Sequence, residues 1–91
     1  MEFEWDADKG SQNFNKHQVS FYEAATVFVD QLSMTFPDPD HSFSESRYIT
    51  IGLSLQGRLL IVAHTERDDR IRIISAREAT RRERIFYEEK S

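Results

Sequence analysis

The chain contains no cysteine, which excludes disulfide bridges and thiolate metal ligands. It holds only three glycines and two prolines. No glycine-rich loop is present to cradle a phosphate, and neither a nucleophile elbow nor an HExxH zinc motif occurs. Long apolar runs are missing as well: the longest, Leu59 to Ala63, is far too short to span a bilayer. The opening residues, MEFEWDADKG, are acidic and lack the apolar stretch of a signal peptide, so a cytoplasmic protein with no membrane partner is expected. The histidines, His17, His41 and His64, lie at no metal-ligand spacing, so neither a metal nor another cofactor is expected.

What is present suits one soluble domain spanning residues 1–91, with 38% hydrophobic and 31% charged residues. The net charge is -4, yet it is unevenly spread. Residues 1–57 hold three basic and nine acidic side chains, a balance of -6, and residues 58–91 hold nine basic and seven acidic, a balance of +2. Arg67, Arg70, Arg72, Arg77, Arg81, Arg82 and Arg84 crowd the last third, interleaved with isoleucines. Solvated surface charge is the ordinary reading of such a run; a surface that meets a polyanion is the sharper one.

The local patterns predict β-α-α-β-β-β-α, with a further strand at Leu32 to Phe36 as an option. FEW, Phe3 to Trp5, reads as an edge strand. Asp6 or Asp8 can cap a first helix running to about Lys16, weakened by Gly10. Ser20 and Glu23 form a capping box with a staple from Val19 to Ala24, and Phe21, Ala24, Ala25, Phe28 and Leu32 recur at helical spacing. PDPDH, Pro37 to His41, opens a polar loop through Glu45. Strands follow at Tyr48 to Leu55, Arg58 to Thr65 and Arg70 to Ile74. The last helix starts at either of two capping boxes, Ser75/Glu78 or Thr80/Glu83. The fold class is α+β with a small, mostly antiparallel sheet, two N-terminal helices and one C-terminal helix.

A two-residue turn at Gln56-Gly57 places Leu53 opposite Leu60, Ile51 opposite Val62 and Ile49 opposite His64. A turn at Asp68-Asp69 places Arg67 opposite Arg70 and Thr65 opposite Arg72. Opposed residues share a face. Ile49, Ile51, Leu53, Leu60, Val62, His64, Ile71 and Ile73 would then take the helices. The other face would carry Tyr48 and Thr50 beside Arg67, Arg70 and Arg72, a cationic patch in which Arg70 and Tyr48 are candidates for binding RNA. A slip of one residue would exchange the faces. By this parity His64 is a core residue. His17, at the end of the first helix, complements the helix dipole or serves a site. Arg77, Arg81 and Arg84 read as partners of glutamates along a helix.

FEWDADK, NKHQVSFYEAATVF, DPDH, SRYITIGLS, GRLLIVAHTER and RIRIISAREATRRER followed by Tyr87 occur in an order and spacing that resembles the BrnT toxin family, from Phe3 to Tyr87. The resemblance implies a RelE-like fold. It implies an endoribonuclease of a type II toxin–antitoxin pair that cleaves RNA to arrest translation; the lack of cysteine and of clustered His, Asp and Glu ligands makes a metal-independent one the expectation. The implied partner is a BrnA-type ribbon-helix-helix antitoxin, which neutralises the toxin and connects it to operator DNA. Lys16, His17, Arg67, Arg72, Ser75, Arg77, Glu83 and Tyr87 match positions that the family motifs keep. His17, Arg67, Arg72, Arg77, Glu83 and Tyr87 are thereby catalytic candidates, and Lys16 an RNA-binding one. Gln18 stands where the family usually has glycine, at a position suited to a left-handed helix cap. The alternative is an inactive member retained as an antitoxin-binding co-repressor.

Overall fold

The computed structural model describes residues 1–38 and 46–90; of the loop expected from Pro37 through Glu45, residues 39–45, His41 among them, lie outside these. The elements are β1 (Glu2–Glu4), α1 (Ala7–His17), α2 (Phe21–Thr26) with a 3-10 turn at Val27–Val29, β2 (Met34–Pro37), β3 (Arg47–Leu53), β4 (Leu59–Arg67), β5 (Arg70–Glu78) and α3 (Arg81–Lys90). They build an α+β fold around one mixed sheet in the order β1-β5-β4-β3-β2. β1 runs parallel to β5, and the other pairings are antiparallel.

The helix boundaries follow from side-chain caps. The Asp6 carboxylate accepts from the Lys9 amide at 3.0 Å and starts α1. Gln18 ends α1 at φ 61°, the left-handed position flagged by the missing glycine, with its amide donating to Phe14 O at 2.8 Å. Ser20 Oγ accepts from the Glu23 amide at 3.0 Å and starts α2. The reciprocal half of that capping box is not made. Glu23 is instead buried and ion-paired with Arg58, whose Nε donates to it at 2.9 Å, while Ser54 Oγ donates at 2.8 Å. Of the two boxes offered for α3 the structure uses Thr80 and Glu83, bonded reciprocally at 2.9 and 3.2 Å. β5 therefore continues to Glu78, and Arg77 projects from a strand rather than a helix.

Two further expectations are corrected. Helix α2 stops at Thr26 and Leu32 is exposed, because Asp30 turns to extended backbone and accepts from the Leu32 amide at 3.0 Å. The β3–β4 loop has three residues, Leu55 to Gly57, closed by the pair Ser54 N to Arg58 O at 2.8 Å, with Gly57 at φ +88°. This is the glycine-closed three-residue hairpin, whose third position needs the left-handed region. It shifts β3 by one residue: Leu53 pairs Leu59, Ile51 pairs Ile61 and Tyr48 pairs His64. The Asp68-Asp69 turn holds as expected, with Arg67 opposite Arg70.

The sheet is thus covered on both faces. On the side of α1 and α2, Val19, Phe21, Ala24 and Val27 pack with Leu60, Val62, Ile71, Ile73 and Ala76 of the sheet. Gly52 also faces this side, where a Cβ would come within 3.0 Å of Ser33 and 3.2 Å of Val27. On the opposite face Ile51 and Leu59 pack with Tyr87 of α3. His64 is in the helix-side core, 1% exposed, edge-on to Phe28 at 4.9 Å and bonded through Nε2 to Thr50 Oγ1 at 2.8 Å. Its companions are Thr50, Val62 and Ile73 rather than Ile51, a consequence of the shift. Burial pushes its imidazole down to about 4, so it is neutral in the folded protein.

Candidate functional site

Strand β5 carries a bulge. His64 pairs Ile73 while Ala63 pairs Ser75, so Ile74 is the extra residue. Before it, Ile71 and Ile73 face the helices and Arg70 and Arg72 face away; beyond it, Ala76 faces the helices and Ser75 and Arg77 face away. Without the bulge Arg77 would point into the core. The shift of β3 brings Arg47 to the same outer face, opposite Thr65. Its missed signal was the three-residue loop.

Helix α1 supplies the remaining wall. Lys16 and His17 occupy its last turn, where cationic groups complement the helix dipole. Asn13, one turn earlier, bonds Ala76 through both its amide N and O at 2.9 and 3.1 Å and so fastens this turn to β5. Lys16, His17, Arg47, Asp38, Ser75 and Arg77 surround a cavity of about 490 Å³ floored by Ile49, Ile61 and Ala63. A cationic rim over an apolar floor suits a nucleotide: phosphate oxygens meet the rim while the sugar and base cover the floor.

Arg77 is pre-oriented. Its two terminal nitrogens donate to the two Glu83 oxygens at 2.8 and 2.9 Å. This hydrogen-bonded pair raises the guanidinium still further and holds the Glu83 carboxyl down at about 2. Tyr87 does not line the cavity. Its hydroxyl donates to Asp30 Oδ2 at 2.6 Å, and burial followed by that contact pushes it up to about 12. Partial burial raises the Asp30 carboxyl, but the bonds from Tyr87 and from the Leu53 and Leu32 amides outweigh it and leave it below its usual value.

The other candidates lie elsewhere. Arg70 and Arg72 share Glu4 of β1, each at 3.3 Å, so part of their charge is met at the sheet edge. Arg67 faces Arg70 near the hairpin tip. Tyr48 is on the helix side, stacked on His64 with centroids 5.9 Å apart, and not on the arginine face where the shorter loop had placed it. Among the described residues no group of three His, Asp or Glu side chains could hold a metal ion, and no helix is long and apolar enough to cross a membrane.

A mixed sheet with helices on both faces and a cationic groove at the end of α1 defines a small α+β domain with a surface whose chemistry suits an anionic ligand. The chain belongs to the BrnT family, ribonuclease toxins of type II toxin–antitoxin systems, whose family model matches residues 5–83. The crystal structure of the Brucella abortus ribonuclease toxin BrnT, at 1.1 Å resolution, has the same fold: TM-score 0.70, 21% identity, covering 89% of this chain and 99% of that one. No curated protein sequence matches the chain.

Proposed function

We propose that this toxin is a metal-independent endoribonuclease of RelE-like fold whose RNA site is the groove between α1 and β5. The carrying observation is the convergence of Lys16, His17, Arg47 and Arg77 on one cavity from three separate elements. In the reaction the RNA 2′-hydroxyl attacks the adjacent phosphorus, the P–O5′ bond breaks, and a 2′,3′-cyclic phosphate and a 5′-hydroxyl result. Arg77, its plane fixed by Glu83, turns its remaining N–H donors to the phosphate as negative charge builds, with Arg47 and Lys16 supporting it. His17 is the groove side chain whose ring can both take the 2′ proton and return one to the leaving oxygen. Glu83, held near 2, is a poor base, and Tyr87, near 12 and bonded to Asp30, is no better; both act on geometry. Arg72, Arg70 and Arg67, on the same face of the sheet, guide the flanking strand.

The partner is a BrnA-type ribbon-helix-helix antitoxin in the cytoplasm, whose acidic or amphipathic segment covers the groove and which carries operator DNA contacts for the pair. The test is purified toxin, free of antitoxin, with labelled RNA in EDTA. Cleavage to cyclic-phosphate ends that His17→Gln abolishes supports the reading. An inert wild-type protein that still binds antitoxin and strengthens operator binding would establish the co-repressor alternative instead.

A further inference from the structure

Asn13 carries no charge and no reactive group, yet it is 7% exposed and makes three hydrogen bonds. Its Nδ2 donates to Ala76 O and to Val19 O, both at 2.9 Å, and its Oδ1 accepts from the Ala76 amide at 3.1 Å. A donor and an acceptor presented together imitate the edge of a strand. β1 accompanies β5 only from Arg70 to Arg72, so the strand partner is gone by Ala76, where buried backbone groups still require one. The bond to Val19 O fixes the chain just beyond the left-handed Gln18.

The consequence is geometric. Lys16 and His17 lie three and four positions after Asn13, on the same side of α1, and Ala76 sits between Ser75 and Arg77. Asn13, Lys16, His17, Ile74 and Ser75 line a common depression of about 300 Å³ beside the groove. The side chain that completes the edge of β5 therefore sets the distance between the imidazole and the guanidinium. We infer that Asn13 is a positioning residue for RNA cleavage, a reading that rests on the groove being the cleavage site. It touches no substrate; it holds His17 in register with Arg77.

The test compares wild type, Asn13→Ala and Asn13→Asp for thermal melting, kcat and KM on RNA well below the melting temperature. A misplacement on the scale of 1 Å costs about 100-fold in rate. Folded Asn13→Ala should lose kcat on that scale while KM stays within about threefold, since the phosphate-binding cations remain. Asn13→Asp adds a readout that simple destabilisation does not move. Its protonated carboxyl keeps the acceptor for Ala76 N–H and one donor, whereas the ionised form turns only acceptors toward two carbonyl oxygens. Its kcat, as a ratio to wild type at each pH, should climb as pH is lowered. Folded variants that cleave within about threefold of wild type, whatever their melting temperature, would overturn the inference. Failure of both variants to fold would also overturn it, because Asn13 would then serve the fold as a whole. A wild-type protein that cleaves no RNA would remove the ribonuclease reading itself, and this inference with it.

Discussion

Arg77→Ala should separate catalysis from stability. The substitution removes the fork at the groove wall and releases Glu83, whose two contacts with Arg77 are 2.8 and 2.9 Å. The paired side chains are 41% and 32% exposed, so solvent screens the pair and its loss costs at most about 1 kcal/mol. Glu83 keeps the Thr80 amide at 2.9 Å, and α3 keeps its cap. For a chain of this size such a loss lowers the melting temperature by roughly 4–8 °C and leaves the protein folded. The barrier tells a different story: withdrawing a positioned donor from developing charge costs about 2.7–4 kcal/mol, a fall of roughly 100- to 1000-fold in kcat. Arg77→Lys should recover only part, because a point charge can neither hold both Glu83 oxygens nor present a planar fork. Arg81→Ala, four residues along on α3, supplies the control for general electrostatic attraction. Arg72→Ala, already shared with Glu4, should weaken binding more than turnover. Single-turnover cleavage and urea unfolding on the same preparations read both quantities. Cleavage by Arg77→Ala within about threefold of wild type, or an equal loss at Arg81, would refute a defined phosphate site at Arg77.

Acid should destabilise the protein through His64. Its folded value of about 4 lies below the ordinary 6.5, so its contribution is complete above pH 6.5 and is lost as pH falls toward 4, about 3 kcal/mol in all. Urea unfolding between pH 6.5 and 5 should show a slope that His64→Gln flattens; an unchanged slope would discard the assignment. Gln18→Gly should stabilise by about 1 kcal/mol, since φ 61° penalises any side chain, and denaturant midpoints read it directly. Cleavage should survive EDTA, and restoration of a chelated sample by one specific metal would contradict that. Antitoxin should shield Lys16 from acylation; full reactivity in the complex would mean that inhibition acts by another route.

Much of the fold was legible where a local rule acts alone. The caps at Asp6 and Ser20, the left-handed position at Gln18, the Asp68-Asp69 turn and the optional strand near Phe36 each depend on a few adjacent residues. The site was harder because two single-residue events decide it. The three-residue loop turned β3 over, withdrawing Tyr48 to the His64 side and delivering Arg47 to the groove. The bulge at Ile74 did the same for Ser75 and Arg77. Both left traces. Gly57 can close a loop of either length. Apolar parity runs through Ile71 and Ile73, breaks at Ile74 and resumes at Ala76, which is how a bulge looks in sequence. Charge periodicity instead assigned Arg77 to a helix, because the spacing of Arg77, Arg81 and Arg84 fits helical turns equally well.

The overall charge of -4 is compatible with a cationic groove because charge is distributed locally, and four of the sixteen acids are committed to structural contacts. Glu4 meets Arg70 and Arg72, Glu23 meets Arg58 in a buried pair, Glu83 meets Arg77, and Asp30 anchors Tyr87. Each carboxylate lies below its usual range and stays ionised. These pairs spend negative charge on holding elements together: β1 to β5, α2 to the β3–β4 loop, α3 to both sheet and turn. Lys16, His17 and Arg47 stand around the cavity, with Asp38 the acid among its described lining residues. The local field in the groove is therefore set by Lys16 and His17 at the end of α1 together with Arg47 and Arg77, which the two parity changes bring to the outer face, and the sign of the whole chain does not predict it. An acidic protein can in this way present a polyanion with a cationic surface limited to the width of one groove, and the arginine-rich last third is divided between structural pairing and that surface.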